Sequence, residues 1–209
     1  MSVKPAMSVE VELTEKAVRE IREMKKDIPR EFKVTYEDYL LLPDCPDRQY
    51  ELIDGRLLMV PTPRPYHQEI LLNLSRRLAD FVETRNWGHI FIAPCDVVLS
   101  EVDVVQPDIL LISAGRASII TEKNIQGAPD LVVEIVYPSR EHWDRIIKRQ
   151  LYFRHGISEY WLVDPERKTV EVMRLGEEGY EMVETYGAED VLRSPTLEGL
   201  EIKLAEIFT

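Results

Sequence analysis

Leu131-Val132-Val133-Glu134-Ile135-Val136 decides the fold. Five branched aliphatic residues in six positions form a short apolar run, the pattern of a strand covered on both faces. Side chains alternate along a strand, so Val132, Glu134 and Val136 share one face and Leu131, Val133 and Ile135 the other. Glu134 is the anomaly. An ionised carboxylate in such a place is costly unless a cation or several hydrogen-bond donors meet it. A second run, Val104 to Ile112, contains Pro107-Asp108 immediately before Ile109-Leu110-Leu111-Ile112, which puts another acid at the start of a core strand. A third acid, Glu51, interrupts the apolar stretch Tyr50-Glu51-Leu52-Ile53.

Working outward, Asp54-Gly55 between Tyr50–Ile53 and Arg56–Val60 reads as a two-residue hairpin turn. Thr35-Tyr36-Glu37-Asp38 opens a short helix, and Pro43 to Asp47 is a turn-rich break. Pro61 to Pro65 is a loop. His67 to Arg85 is helical in period, with Ile70, Leu71, Leu74, Leu78, Phe81 and Val82 on one face. Further strands are expected at Ile90–Ile92, Asp96–Leu99, Tyr160–Val163, Thr169–Leu175 and Tyr180–Tyr186. The stretch from Leu197 to Phe208 suits a short strand and a terminal turn. A helix, several strands, a helix at His142–His155 and more strands predict an α/β fold: a central mixed β-sheet flanked by helices.

The chain has 209 residues with 38 acids against 26 lysines and arginines, a formal net charge of −12. That length divides into residues 1–30, an amphipathic helical extension, and 31–209, one domain. In the extension Leu13, Ala17, Ile21 and Met24 recur at helical spacing, which suits packing or dimerisation. Its seven basic and six acidic residues exclude a basic DNA-binding arm. The negative total argues against a general nucleic-acid coat or a polybasic membrane binder. The charge is uneven, however: Arg140 to His155 holds five basic residues and two acids, whereas Gly176 to Thr209 holds nine acids and two basic residues. Cys45 and Cys95 cannot build a disulfide framework or a zinc site. Met1 to Glu10 lacks an apolar core of secretory length, and no apolar run approaches bilayer length, so a cytoplasmic protein without membrane contact is expected.

Taken singly, each of the three acids has an ordinary reading as an ion pair or a solvated edge. Asp108 and Glu134 together, both in strand context, point to a hard-oxygen site suited to Mg²⁺. Such an ion can activate water and stabilise charge on a phosphoryl group. Asp144, Lys148 and Tyr152 fall at i, i+4 and i+8 of the following helix and form one stripe, beside an apolar stripe of Trp143, Ile147 and Leu151 that faces the core. Lys148 can then project from the edge of the buried face towards the acids; its plain alternative is a surface pair with Asp144. His67 opens the long helix, where it can orient a phosphate or a metal-bound carboxylate, or simply cap the structure. His142 and His155 read as ordinary surface residues.

Pro107-Asp108, followed at a distance by Glu134, resembles the PD-(D/E)XK nuclease motif. The ordered series Tyr50-Glu51-Leu52-Ile53-Asp54-Gly55, His67, Pro107-Asp108, Pro129 to Glu134, Pro138-Ser139, Asp144, Lys148, Tyr152 and Gly156 to Pro165 resembles the Uma-two family, bacterial restriction-endonuclease-like proteins classed as a domain of unknown function. The resemblance runs from Phe32 to Phe208. It implies a restriction-endonuclease-like fold and a metal-dependent endonuclease acting on DNA. Asp108 and Glu134 would be the Mg²⁺ pair, with Mn²⁺ able to substitute, helped by Glu51 and the Ile135 carbonyl. Lys148 would orient water, Tyr152 would support it, and His67 would stand behind the ligands. The motif's lysine belongs two residues after the glutamate, where this chain has Val136, so Lys148 must supply the ammonium from the helix. The resemblance also implies a homodimer, since related nucleases pair to address two strands. Two other classes remain open at this point: a non-catalytic binding or assembly module on the same fold, favoured by Val136 and the acidic surface, and an RNA- or nucleotide-directed hydrolase with the same metal chemistry.

Overall fold

The computed structural model describes residues 33–42, 49–137 and 141–209. The expected N-terminal helix, the break at Pro43 to Asp47 and Pro138-Ser139 lie outside the described residues. Residues Lys33–Thr209 form one unit. In chain order its elements are α1 (Tyr36–Leu40), β1 (Gln49–Ile53), β2 (Arg56–Val60), α2 (Pro65–Arg85), β3 (Gly88–Ile92), β4 (Val97–Ser100), β5 (Asp103–Val105), β6 (Ile109–Ser113), β7 (Ile125–Gln126), β8 (Leu131–Ile135), a π-helical segment (Trp143–Lys148) continuing into α3 (Arg149–Arg154), β9 (Glu159–Asp164), β10 (Thr169–Leu175), β11 (Tyr180–Tyr186), β12 (Val191–Leu192) and β13 (Ile202–Lys203).

The apolar run is β8, buried throughout. It lies inside a six-stranded mixed sheet of order β11-β10-β9-β8-β6-β3, antiparallel to β6 and parallel to β9. Leu131, Val133 and Ile135 face Ile70, Leu74, Leu78 and Val82 of α2 together with Leu197, Ile202, Leu204 and Ile207 of the C-terminal segment. Val132 and Val136 face the other way, onto Leu151 and Tyr152 of α3 and Val97 and Val105 of a second sheet. That sheet has the order β2-β1-β5-β4-β7. Each aliphatic side chain buried between the layers contributes roughly 1.5–3 kcal/mol, which is why the run tolerates no polar residue without a partner.

Local chemistry explains several boundaries. Thr35 and Asp38 form a reciprocal capping box at α1. Asp54 and Gly55 both adopt positive φ (51° and 75°), the geometry of a tight hairpin turn joining β1 to β2. Gly88 permits β3 to pair with β6: a Cβ there would lie 2.1 Å from the Ile112 carbonyl oxygen. Helix α2 starts at Pro65, two residues before its expected start at His67, because proline suits the first helical position.

Two expectations need correction. Val104 to Ile112 is not one strand: Gln106-Pro107-Asp108 breaks it into β5 and β6, which belong to different sheets. Proline cannot donate to a ladder and so interrupts the pairing, and the chain crosses between layers there. The helix after β8 also turns its polar stripe inward. Asp144, Lys148 and Tyr152 are buried alongside Leu151, and Ile147 packs against the same core cluster, whereas Trp143 is only partly buried. Among the described residues no helix is long and apolar enough to cross a membrane.

Candidate active site

The crossover at Gln106-Pro107-Asp108 builds one wall of the site. The Gln106 backbone N–H donates to Glu51 Oε1 at 3.1 Å, and its side-chain amide donates to Asp96 Oδ1 at 2.7 Å. This ties the crossover to β1 and β4. Asp108 then lies beside the end of β8, where its Oδ2 accepts the Ile135 N–H at 2.7 Å. The first turn of α2 adds His67, whose Nε2 stands 3.3 Å from Asp108 Oδ1.

The opposite wall is the π-helical turn. π turns are wider than α turns and recur at functional sites. Here the turn presents Asp144 and Lys148 inward, and Tyr160 OH donates to the Asp144 carbonyl at 3.0 Å to hold it. Arg145 anchors the turn from outside through Asp164 at 3.0 Å and Glu141 at 2.8 Å. Lys148 Nζ lies 2.8 Å from Glu51 Oε1 and 2.9 Å from Glu134 Oε1. Tyr152 OH donates to that same oxygen of Glu134. Glu51, His67, Asp108, Glu134, Asp144 and Lys148 all line one cavity of about 290 Å³, as do Gln106 and Ile135.

Charge in this cavity is unbalanced. Burial pushes the Glu134 carboxyl well above its usual range; Lys148 pulls it down, while Asp108, Asp144 and Glu51 push it further up. Burial likewise raises Asp144, to about 6, with Glu51 and Asp108 adding to the rise and Lys148 opposing it. Burial alone would strip the Lys148 proton, but Glu134, Glu51 and Asp144 hold it well above its ordinary value, so the ammonium stays charged. Tyr152 is raised by burial and by Glu134 and remains a neutral donor. Burial lowers His67, yet its hydrogen bond to Asp108 and that residue's charge outweigh the effect and raise it. Four carboxylates around one ammonium are a poor way to stabilise a core, because desolvation costs several kcal/mol per ion. Such a cluster in a cavity marks a candidate functional centre.

The donor set suits a hard divalent cation. Among the described residues no three His, Cys, Asp or Glu side chains already form a metal cage. Mg²⁺ does not require one, since it commonly keeps several waters and takes one or two carboxylates. Asp108 and Glu134 could provide that pair; Lys148 and Tyr152 both engage Oε1 of Glu134.

Of the residues singled out from sequence, Glu51, His67, Asp108, Glu134, Ile135 and Lys148 share the cavity wall. Tyr152 does not reach the cavity; it is fully buried behind Glu134. Val136, at the position where the motif has lysine, packs in the apolar cluster with Leu110 and Leu151. The ammonium reaches Glu134 from the helix instead. Among the wall residues that the sequence does not mark as site members are Asp144, for which the i, i+4 spacing to Lys148 was the available signal, and Gln106, which carried none. His155 is also not an ordinary surface residue, because its Nε2 lies 3.0 Å from Asp103 Oδ2.

Comparison with known proteins agrees with this architecture. The family model Uma2, described as "Putative restriction endonuclease", matches residues 36–205. The crystal structure of "a putative nuclease belonging to DUF820" from Anabaena variabilis superposes with a TM-score of 0.70, at 22% identity, over 84% of this chain and 97% of that one. At that identity the likeness speaks to the fold alone. A search of curated proteins found no match. With the family model spanning nearly all of the unit described above, the chain belongs to the Uma2 family, with its restriction-endonuclease-like fold.

Proposed function

We propose that the protein is a metal-dependent endonuclease that hydrolyses DNA phosphodiester bonds. The observation that carries this reading is the Lys148 ammonium held between Glu51 and Glu134 in a cavity that also bears Asp108 and Asp144. In this reading Asp108 and Glu134, with the Ile135 carbonyl, would hold Mg²⁺ or Mn²⁺. When bound, the ion supplies an acidified water and a counter-charge for the phosphoryl oxygens.

The chain's own residues do the rest. Lys148 orients the attacking water and offsets negative charge as it develops on the phosphoryl group. Glu51 holds the ammonium in place, and Tyr152 fixes the Glu134 carboxylate. His67 keeps Asp108 oriented. Water attacks phosphorus, the bond from phosphorus to the 3′ oxygen breaks, and a proton passes to that oxygen, giving 5′-phosphate and 3′-hydroxyl ends. A cut in both strands calls for two copies of the chain, and sedimentation of the full chain measures whether it pairs. A cytoplasmic setting suits both the substrate and Cys95, a free cysteine.

The test is cleavage of supercoiled plasmid and of single-stranded DNA with Mg²⁺ or Mn²⁺, wild type against Glu134→Ala. Metal-dependent nicking by the wild type alone supports the reading. Equal trace activity in both proteins overturns it.

A further inference from the structure

The cavity walls leave a polyanionic substrate with an electrostatic problem. Four carboxylates line them, and the one lysine is committed to two of those acids. Even a bound divalent cation would not neutralise them all. A DNA strand therefore needs a cation just outside the cavity, and the molecule has one in a particular arrangement.

Arg64 precedes α2 and is exposed. Its guanidinium carbon lies 5.2 Å from the ring centroid of Tyr137. Tyr137 follows β8 by two residues and lines the cavity, as do Pro63 and His67 on either side of Arg64 in sequence. Among the described residues Arg64 enters no ion pair, and it differs from Arg85, which lies over Phe81, in that its aromatic partner lines the cavity. A guanidinium lying on an aromatic face keeps its N–H donors at the edge of the plane, where they remain available in the fork that matches phosphate oxygens. The ring also removes much of the rotamer freedom that a free arginine would lose on binding.

We propose that Arg64, held by Tyr137, is the phosphate clamp of this site: it binds a phosphodiester of the DNA strand next to the one that is cleaved. The proposal rests on the nuclease reading for the identity of the strand, but its own claim is about binding. Arg64 makes the cavity approachable by a polyanion despite the acids inside, and Tyr137 sets the direction in which its donors point.

The experiment measures binding of a fluorescein-labelled single-stranded oligodeoxynucleotide by anisotropy, over a range of salt, with Ca²⁺ present. Relative to the wild type, Arg64→Ala weakens binding by about five- to ten-fold and lowers the slope of log affinity against log salt by about 0.7, the contribution of one phosphate contact on a single strand. Tyr137→Leu weakens binding less and leaves the salt slope unchanged, since the charge remains. Arg76→Ala is the control. Arg76 is exposed on the same helix, roughly 18 Å along the axis from Arg64 at 1.5 Å per residue, and should bind as the wild type does. Circular dichroism of each variant confirms the fold. Wild-type affinity in Arg64→Ala overturns the proposal, and so does an equal loss in Arg76→Ala, which would mean diffuse charge rather than a clamp. If Arg64→Ala loses affinity while no metal supports cleavage by the wild type, the clamp stands and the nuclease reading falls alone.

Discussion

Lys148 donates to Glu134 across 2.9 Å, from a helical turn at the edge of the fold to a strand in its centre. Neither group would sit there alone. Burial disfavours the charge on both: the surrounding acids hold the lysine's proton, while the glutamate stays raised well above its usual range although Lys148 pulls it down. Glu51, from a different sheet, meets the same ammonium at 2.8 Å and joins the two layers at that point.

Replacing Lys148 with methionine removes this cation while roughly keeping its volume. The buried acids must then take up protons or go unpaired, and breaking a buried pair in this way costs about 3–5 kcal/mol. Under the proposed mechanism DNA nicking falls at least about 10²-fold, the usual effect of losing a group that stabilises developing charge. Urea unfolding and plasmid nicking measure the two effects separately. Full activity in the variant would remove Lys148 from the chemistry.

Tyr152→Phe tests the support behind Glu134. The variant keeps the ring, which packs edge-on against Tyr160 with centroids 5.3 Å apart, and loses only the donor to Glu134. The cost in stability is about 1–2 kcal/mol, the range for deleting one partner of a buried hydrogen bond. Activity falls by less than in the lysine variant, because the phenol does not reach the cavity. Equilibrium unfolding measures the stability cost, and plasmid nicking beside Lys148→Met checks the order of activities.

A metal that binds the folded state raises its melting temperature by mass action. Under the proposed metal role, millimolar Mg²⁺ or Mn²⁺ raises the Tm of the wild type, and EDTA reverses the shift. Glu134→Gln abolishes it, since an amide oxygen is a weaker donor and carries no charge. An unchanged Tm in the wild type with either ion would argue against a resident cation.

Acid stability has a separate, nameable origin in Asp103. Burial opposes its ionisation, but His155, the Asp54 N–H and Ser100 outweigh that and lower its pKa from 3.8 to about 2. The folded-state value is depressed, so its contribution is fully present above about pH 4 and is lost as pH falls through about 2. The loss amounts to about 1–2 kcal/mol at roughly 1.4 kcal/mol per unit, discounted for solvent screening. Asp103→Asn flattens this part of the curve, which urea unfolding between pH 2 and 6 resolves. An identical pH slope in the variant would assign acid sensitivity elsewhere.

The elements themselves were legible because each is written in local chemistry. The Asp54-Gly55 turn, the Thr35 cap, the α2 face and the ends of β10 and β11 lie where turn residues and periodicity put them. The misreadings arose where two layers meet. Val104 to Ile112 is apolar on both sides of Gln106-Pro107-Asp108, and the pairing of β5 with β1 and of β6 with β8 puts the two halves in different sheets. The apolar stripe of the helix after β8 does reach the core through Leu151 and Ile147; what periodicity did not report is that Asp144 and Lys148 beside it are buried as well, because the core there offers carboxylates.

Glu134 inside an apolar strand and Asp108 behind a proline were marked by sequence alone as acids in need of a partner, because hydropathy and alternation report which side chains are forced into low dielectric. Tertiary structure alone decided who those partners are. Asp108 receives the N–H of Ile135, Glu51 arrives from another sheet, and Asp144 and Gln106 complete the wall. These meetings depend on sheet order and on the crossover at Pro107, which join residues far apart in the chain and leave no local periodicity behind.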